Sequence, residues 1–316
     1  MSALTAILDP HSRALLDRSA MLAADVAPEA LTVALRRSFY RATNALFNPS
    51  GQESPIRREN LSINLPGRSL PARVYQSADT VKTAAQDVLL VFFHGGGWVV
   101  GDLETHDHAC AFLAQQLGCT LLSVEYRKAP EHPFPAPCDD AQAAYAWAWS
   151  QRSHFACKRI AVCGDSAGGH LAGHAMFANA DVPTAAYGLF YPVADMNFAN
   201  VSYAERGAGP GLTHAGMVWF WQQLMGSAVP SQDARAVLMR QSWQRKPPPG
   251  LVSVAWHDPL HDEGVAYARL LERAGGQVQL FDAQDMAHGF LRQCLVNEAA
   301  QRHVARAASG LLRLLT

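Results

Sequence analysis

The sequence has no excess of either charge: 26 Lys and Arg stand against 27 Asp and Glu, for a formal net charge of −1 at pH 7. That balance argues against nucleic acid as a partner, and the lack of a basic tract argues against an anionic membrane surface. C-x-x-C pairs are missing too. The six cysteines, at 110, 119, 138, 157, 163 and 294, are too scattered for a disulfide framework and are expected to be reduced thiols of a cytoplasmic protein. The opening stretch MSALTAILDPHSR lacks a basic run followed by an apolar core, so no secretory signal is read there. No segment approaches the roughly 20 apolar residues of a membrane span. Internal repeats and low-complexity tracts are also missing. What is present is a 316-residue chain, 49% hydrophobic and 17% charged, large enough to bury a core without disulfides or metals. A small, mostly uncharged substrate suits this balance better than a polyanion does.

Apolar periodicity organises the chain. Leu15, Leu16, Leu22, Leu31, Leu35, Phe39 and Leu46 recur at helical spacing over 11–47, with Pro28 between two segments and a break at 48–51. Two extended runs, 61–65 and 70–75, flank Pro66-Gly67 and predict a hairpin. Then strand-like and helix-like runs alternate. Val88–Phe93 is solidly apolar, as a parallel strand buried on both faces should be. Further strands are expected at 120–125, 159–163, 185–191, 251–256 and 278–281, with helices near 105–117, 137–151, 167–178, 263–274 and 296–315. This order predicts an α/β fold with a mostly parallel, roughly eight-stranded sheet flanked by helices. Residues 193–247 are too long for a simple crossover and read as an insertion over the sheet, with a helix 213–225 capped by Thr213. The expected division is N-terminal cap helices in 1–50, a catalytic domain in 51–192 and 248–316, and a cap insertion in 193–247.

The strongest local signal is Gly164-Asp165-Ser166-Ala167-Gly168, directly after an apolar strand and before a helix-compatible run. A strand-to-helix turn of this kind strains the serine backbone and exposes its hydroxyl, the setting a nucleophile requires. His94-Gly95-Gly96-Gly97-Trp98 follows the strand 88–93. Successive glycines leave backbone N–H groups open to a developing oxyanion, each typically worth about 3 kcal/mol, so the oxyanion donors are assigned to Gly96, Gly97 and Ala167. A Walker-type phosphate loop would need Lys-Ser/Thr after the glycines, and Trp98-Val99 stands there instead. A serine nucleophile needs a base and an orienter. Asp258 ends the strand 251–256 and His288 follows the strand 278–281, so Ser166, Asp258 and His288 fall at three strand ends on one sheet edge. Asp282 remains an alternative orienter, and Asp262 is expected to cap the helix near Glu263. Trp98, Phe290 and Trp219 are the candidate substrate contacts. His106-Asp107-His108 does not read as a metal site, because adjacent helix residues point apart.

Taken together, HGGGW at 94–98, GDSAGG at 164–169, DPLHDEG at 258–264 and HGF at 288–290 resemble the hormone-sensitive-lipase-like family of α/β-hydrolase esterases. The stretch 126–136, Tyr191-Pro192-Val193 and parts of the insertion are similar to that family too. The resemblance implies an α/β-hydrolase fold with a helical cap, no cofactor, and hydrolysis of short- to medium-chain acyl esters by water. It extends to homodimer formation. An acyltransferase, amidase or lactonase would use the same residues, and a non-catalytic binder on this scaffold would lack the histidine that His288 supplies. His170, Lys128, the segment 233–239 and Trp256-His257 depart from the family pattern and leave substrate choice open.

Overall fold

The apolar run 88–93 forms a strand with all six side chains buried, which requires a helical layer on each face of its sheet. The computed structural model describes residues 6–27, 30–48, 55–77, 83–226 and 232–315. The expected breaks at Pro28 and at 49–51 lie outside the described residues. Eight strands form one sheet: β1 (Ile56–Leu65), β2 (Arg68–Ser77), β3 (Val88–Phe93), β4 (Thr120–Val124), β5 (Arg159–Asp165), β6 (Thr184–Phe190), β7 (Gly250–His257) and β8 (Val278–Ala287). Their order is β1-β2-β4-β3-β5-β6-β7-β8. β2 pairs antiparallel with β1 and with β4, and the remaining pairs are parallel. The mostly parallel sheet read from the sequence is therefore present. Pro66-Gly67 closes the β1–β2 hairpin, with Gly67 at φ 74°.

Ten helices are described. α1 (Pro10–Met21), α2 (Val33–Ala42) and α3 (Asn44–Phe47) precede the sheet. α4 (Asp107–Leu117) and α10 (Glu298–Leu314) pack into the core on one face. α5 (Ala136–Gln151), α6 (Ala167–Ala178) and α9 (His261–Arg273) pack on the other. α7 (Val201–Arg206) and α8 (His214–Met225) belong to the long segment between β6 and β7. Asp9 caps α1, its carboxylate accepting the Ser12 N–H, and Thr213 caps α8 by accepting from Gly216. Asp262 does not cap α9. That helix already starts at His261, and the Asp262 carboxylate turns outward to accept the Ser202 N–H at 2.9 Å. β8 runs six residues past the expected end at Phe281, because its pairing with β7 continues through Ala283 and Ala287.

From β3 the chain winds through α4 to β4 on one side. From β4 it passes through α5 to β5 on the opposite side of β3. The carboxyl ends of β3 and β5 therefore open a crevice at the point where winding reverses. The helices before the sheet and those of the insertion meet above this crevice. The Arg36 guanidinium lies 4.3 Å from the Trp219 ring centroid, and Arg37 bonds the carbonyls of Val99 and Ala129 at 2.8 and 3.0 Å.

A buried carboxylate ties the hairpin to the helical layer. Asp140 on α5 is fully buried and accepts from Arg68 Nε at 2.6 Å and from Arg127 N, Nε and Nη2 at 2.8–2.9 Å. Removing it leaves two partly buried guanidinium groups without their anion. Asp140→Ala is expected to lose about 3 kcal/mol of stability, the scale for breaking a buried ion pair. Urea unfolding checks this, and an unchanged midpoint would show that the network carries no stability.

Candidate active site

Ser166 connects β5 to α6 with φ 55° and ψ −122°, a conformation costing about 1–3 kcal/mol for a non-glycine residue. Its neighbours hold it there. The Ser166 N–H donates to Phe190 O at 2.9 Å, and its carbonyl accepts from His170 N at 3.0 Å and Val193 N at 3.2 Å. The flanking glycines are needed for close approach between strand and helix. A Cβ on Gly164 would lie 2.2 Å from Gly168 O, and one on Gly168 would lie 1.9 Å from Phe93 O.

Three strand ends bring Ser166, His288 and Asp258 together. His288 Nδ1–H donates to Asp258 Oδ2 at 2.7 Å, which leaves Nε2 to accept the Ser166 hydroxyl at 2.9 Å. Asp258 is fully buried, and its other oxygen accepts the Leu260 N–H at 2.9 Å. Asp282 is outside this chain of bonds: its Oδ2 lies 3.2 Å from His261 Nε2. Proton transfer from Ser166 to His288, with Asp258 fixing the ring, is what the arrangement can do chemically.

The glycine loop stands opposite. Gly96 and Gly97 have φ 119° and 56°, and a Cβ on Gly97 would strike the Phe220 ring at 2.1 Å. Among the described residues, the N–H groups of Gly96, Gly97 and Ala167 donate to no protein acceptor. Sequence reasoning missed the device that holds this loop. Asp165, the residue before the serine, accepts the Gly95 N–H at 2.8 Å while buried, and the His106 ring lies 3.5 Å away. Burial opposes ionisation of Asp165, yet His106 and the Gly95 N–H hold its carboxyl below the usual carboxylate range. His94 Nδ1–H donates to Gly95 O at 2.8 Å, and Tyr126 donates to His94 O at 2.8 Å. The only sequence signal for Asp165 was its place inside the serine motif.

A cavity of about 240 Å³ adjoins Ser166 and His288. Gly96, Gly97 and Asp165 line it from the sheet, Leu16 and Tyr40 from the N-terminal helices, and Met217 and Phe220 from α8. The expected substrate contacts are corrected here. Trp98 lies fully buried beside the loop, its indole N–H donating to His170 Nδ1 at 3.2 Å, with His170 Nε2–H in turn donating to Ala236 O. Phe290 is also fully buried, packed edge-on against Tyr191 and Phe190. Trp219 sits beneath Arg36 on the outer side of α8. None of the three lines the cavity; Phe220, one residue after Trp219, does. Sequence adjacency to a motif located these aromatics but did not give their direction. Glu263 was also missed. It is buried on α9 and accepts from Ala194 N at 2.8 Å, fixing the start of the insertion, and burial pushes its carboxyl well above the usual range. Among the described residues no group of three or more His, Cys, Asp or Glu could hold a metal ion: His106 faces Asp165, and His108 Nε2–H donates to Arg292 O at 2.7 Å. Nor is any described helix long and apolar enough to cross a membrane.

Comparison with known proteins agrees with this geometry. Residues 90–292 match the profile of a family described by its α/β-hydrolase fold. A carboxylic ester hydrolase of Mycobacterium tuberculosis, LipN, is 36% identical over 297 residues, covering 90% of this chain and 77% of that one. An ethyl acetate hydrolase of Pseudomonas putida is 37% identical over 253 residues, covering 78% and 79%. Among solved structures, a hyperthermophilic esterase of Pyrobaculum calidifontis superposes with a TM-score of 0.87 at 30% identity, covering 98% of this chain and 99% of that one.

The histidines around the site predict a pH dependence of stability. Burial lowers His94, His108 and His174 to about 4 and His170 to about 3. In the unfolded chain such rings titrate near 6.5. Between about pH 6.5 and 4 the unfolded chain therefore binds more protons than the folded one, and stability falls with pH. Urea midpoints should drop steadily from pH 7 to pH 4.5. A midpoint that stays flat or rises on acidification would contradict neutral burial of these rings.

Proposed function

We propose that this chain, which belongs to the α/β-hydrolase fold family in its hormone-sensitive-lipase-like branch, hydrolyses short- to medium-chain carboxylic esters through an acyl-enzyme on Ser166. The observation that carries the reading is the continuous bond chain Asp258–His288–Ser166, at 2.7 and 2.9 Å, on a small cavity that Gly96 and Gly97 also line, with the backbone N–H groups of Gly96, Gly97 and Ala167 unpartnered. His288 takes the Ser166 proton as Oγ attacks the ester carbonyl, and Asp258 stabilises the imidazolium that forms. The N–H groups of Gly96, Gly97 and Ala167 receive the oxyanion. The alcohol leaves with the proton from His288. Water, activated by the same ring, then attacks the acyl carbonyl and releases the acid, restoring Ser166. The relative named for ethyl acetate supports a short acyl arm, as does the cavity volume. Six buried, unpaired thiols support a reducing, cytoplasmic setting.

Ser166→Ala is expected to lower turnover of nitrophenyl acetate by roughly 10⁶-fold. Asp258→Asn is expected to cost about 10⁴-fold by upsetting the His288 tautomer, whereas Asp282→Asn should stay near wild type. Steady-state kinetics on the three variants checks the assignment, and a severe Asp282→Asn beside a mild Asp258→Asn would exchange the two roles.

A further inference from the structure

The catalytic cavity contains a cation for which the mechanism has no use. Arg292 lies four residues after His288, lines the same cavity as Ser166, and is 5% exposed. Buried arginines are almost always paired with an acid, because an uncompensated charge away from water is costly. Arg292 has no carboxylate partner among the described residues. Its Nε donates to Thr105 O at 3.1 Å and its Nη2 to Thr43 Oγ1 at 3.0 Å, both neutral acceptors. Its guanidinium carbon lies 4.3 Å from the Tyr40 ring centroid and 4.9 Å from that of Phe47. These contacts fix the orientation of the group without neutralising it. The Tyr40 side chain is a further neutral hydrogen-bond partner of the guanidinium.

A second donor is adjacent. Gln293 lines the same cavity, is 1% exposed, and its buried Nε2 has no acceptor. Asp165 also borders the cavity, but its carboxylate is already engaged by the Gly95 N–H and faced by His106. The Arg292 side of the cavity therefore presents an immobilised guanidinium and a spare amide donor. Leu212, Met217 and Phe220 form an apolar wall elsewhere in it. A planar guanidinium held only by neutral partners matches a carboxylate.

We propose that Arg292, with Gln293 beside it, recognises a carboxylate on one arm of the substrate, so that the preferred esters are short ones bearing an anionic group. Two sources share that chemistry: a monoester of a four- or five-carbon dicarboxylic acid, with the charge on the acyl arm, and the acetyl ester of a small hydroxy acid, with the charge on the alcohol arm. The proposal rests on the ester-hydrolase reading of this cavity.

The test compares each anionic ester with a neutral isostere: mono-nitrophenyl glutarate against nitrophenyl pentanoate, and acetylglycolate against propyl acetate. The wild-type enzyme is expected to favour at least one anionic ester by tenfold or more in kcat/KM, and the favoured pair identifies the arm. Arg292→Gln should cut that ratio at least tenfold, and Arg292→Lys should restore part of it. A purely structural role would move both esters together and leave the ratio unchanged. Wild-type rates that favour the neutral partner in both pairs, or an Arg292→Gln ratio equal to wild type, would overturn the proposal. If Arg292→Gln does not fold, the wild-type ratios decide. Calorimetric titration of wild type with glutarate keeps the two readings separable. Glutarate binding without turnover of any ester would sink the hydrolase reading alone. Turnover of neutral esters with neither glutarate binding nor an anionic preference would sink this one alone.

Discussion

The structure depends on one backbone constraint, the left-handed turn at Ser166. A serine at φ 55° is held there because β6, α6 and the start of the segment after β6 bond its peptide groups, through Phe190 O, His170 N and Val193 N. The glycines at 164 and 168 let α6 approach β3 and β5 closely enough for those bonds to form. The strain is offset by the sheet, and the hydroxyl it exposes is the atom that the rest of the cavity surrounds. The all-apolar β3, the reversal of winding between β3 and β5, and the helices α1, α2 and α8 that line the cavity all serve to enclose this one turn.

The same turn extends its control through Asp165. Because this carboxylate bonds the Gly95 N–H, the residue before Ser166 sets the position of the glycine loop. Trp98, at φ 60° in that loop, is locked through His170 to Ala236 in the segment between β6 and β7. The Ser166 turn, the glycine loop and the segment between β6 and β7 are thus joined by short polar bonds inside the core. Neutral histidines serve these bonds, since burial keeps His94 and His170 uncharged.

Much of this was legible in the sequence, for identifiable reasons. A solid apolar run can only be a buried strand or a buried helix, and six residues bounded by a glycine loop favour the strand, hence β3. The serine motif between a strand and a helix located the turn. Strand ends carrying Asp258 and His288 placed those side chains on the same edge, and the structure brings the three within hydrogen-bond distance. Direction was not legible. Trp98 and Phe290 adjoin motif residues, yet both rings point into the core, and Trp219 faces away from the cavity that Phe220 enters. A one-residue step on a helix turns a side chain by about 100°, and no spacing within a single segment says which step faces the substrate. The end of β8 was missed because Asp282, Gln284 and Asp285 sit on an edge strand whose outer side is not covered by another strand, so polar residues there do not mark a strand's end. Arg292 and Glu263 gave no signal, since only tertiary burial makes either unusual.

The central claim is that Ser166 becomes acylated during turnover. Rapid acid quench of the enzyme with excess nitrophenyl butyrate, followed by intact-mass and peptide mass spectrometry, tests it most directly. A single butyryl adduct on the peptide carrying Ser166, formed within one turnover and lost on dilution into buffer, is the predicted result. Turnover with no adduct at Ser166, or with an adduct on another residue that forms and decays at the catalytic rate, would contradict it.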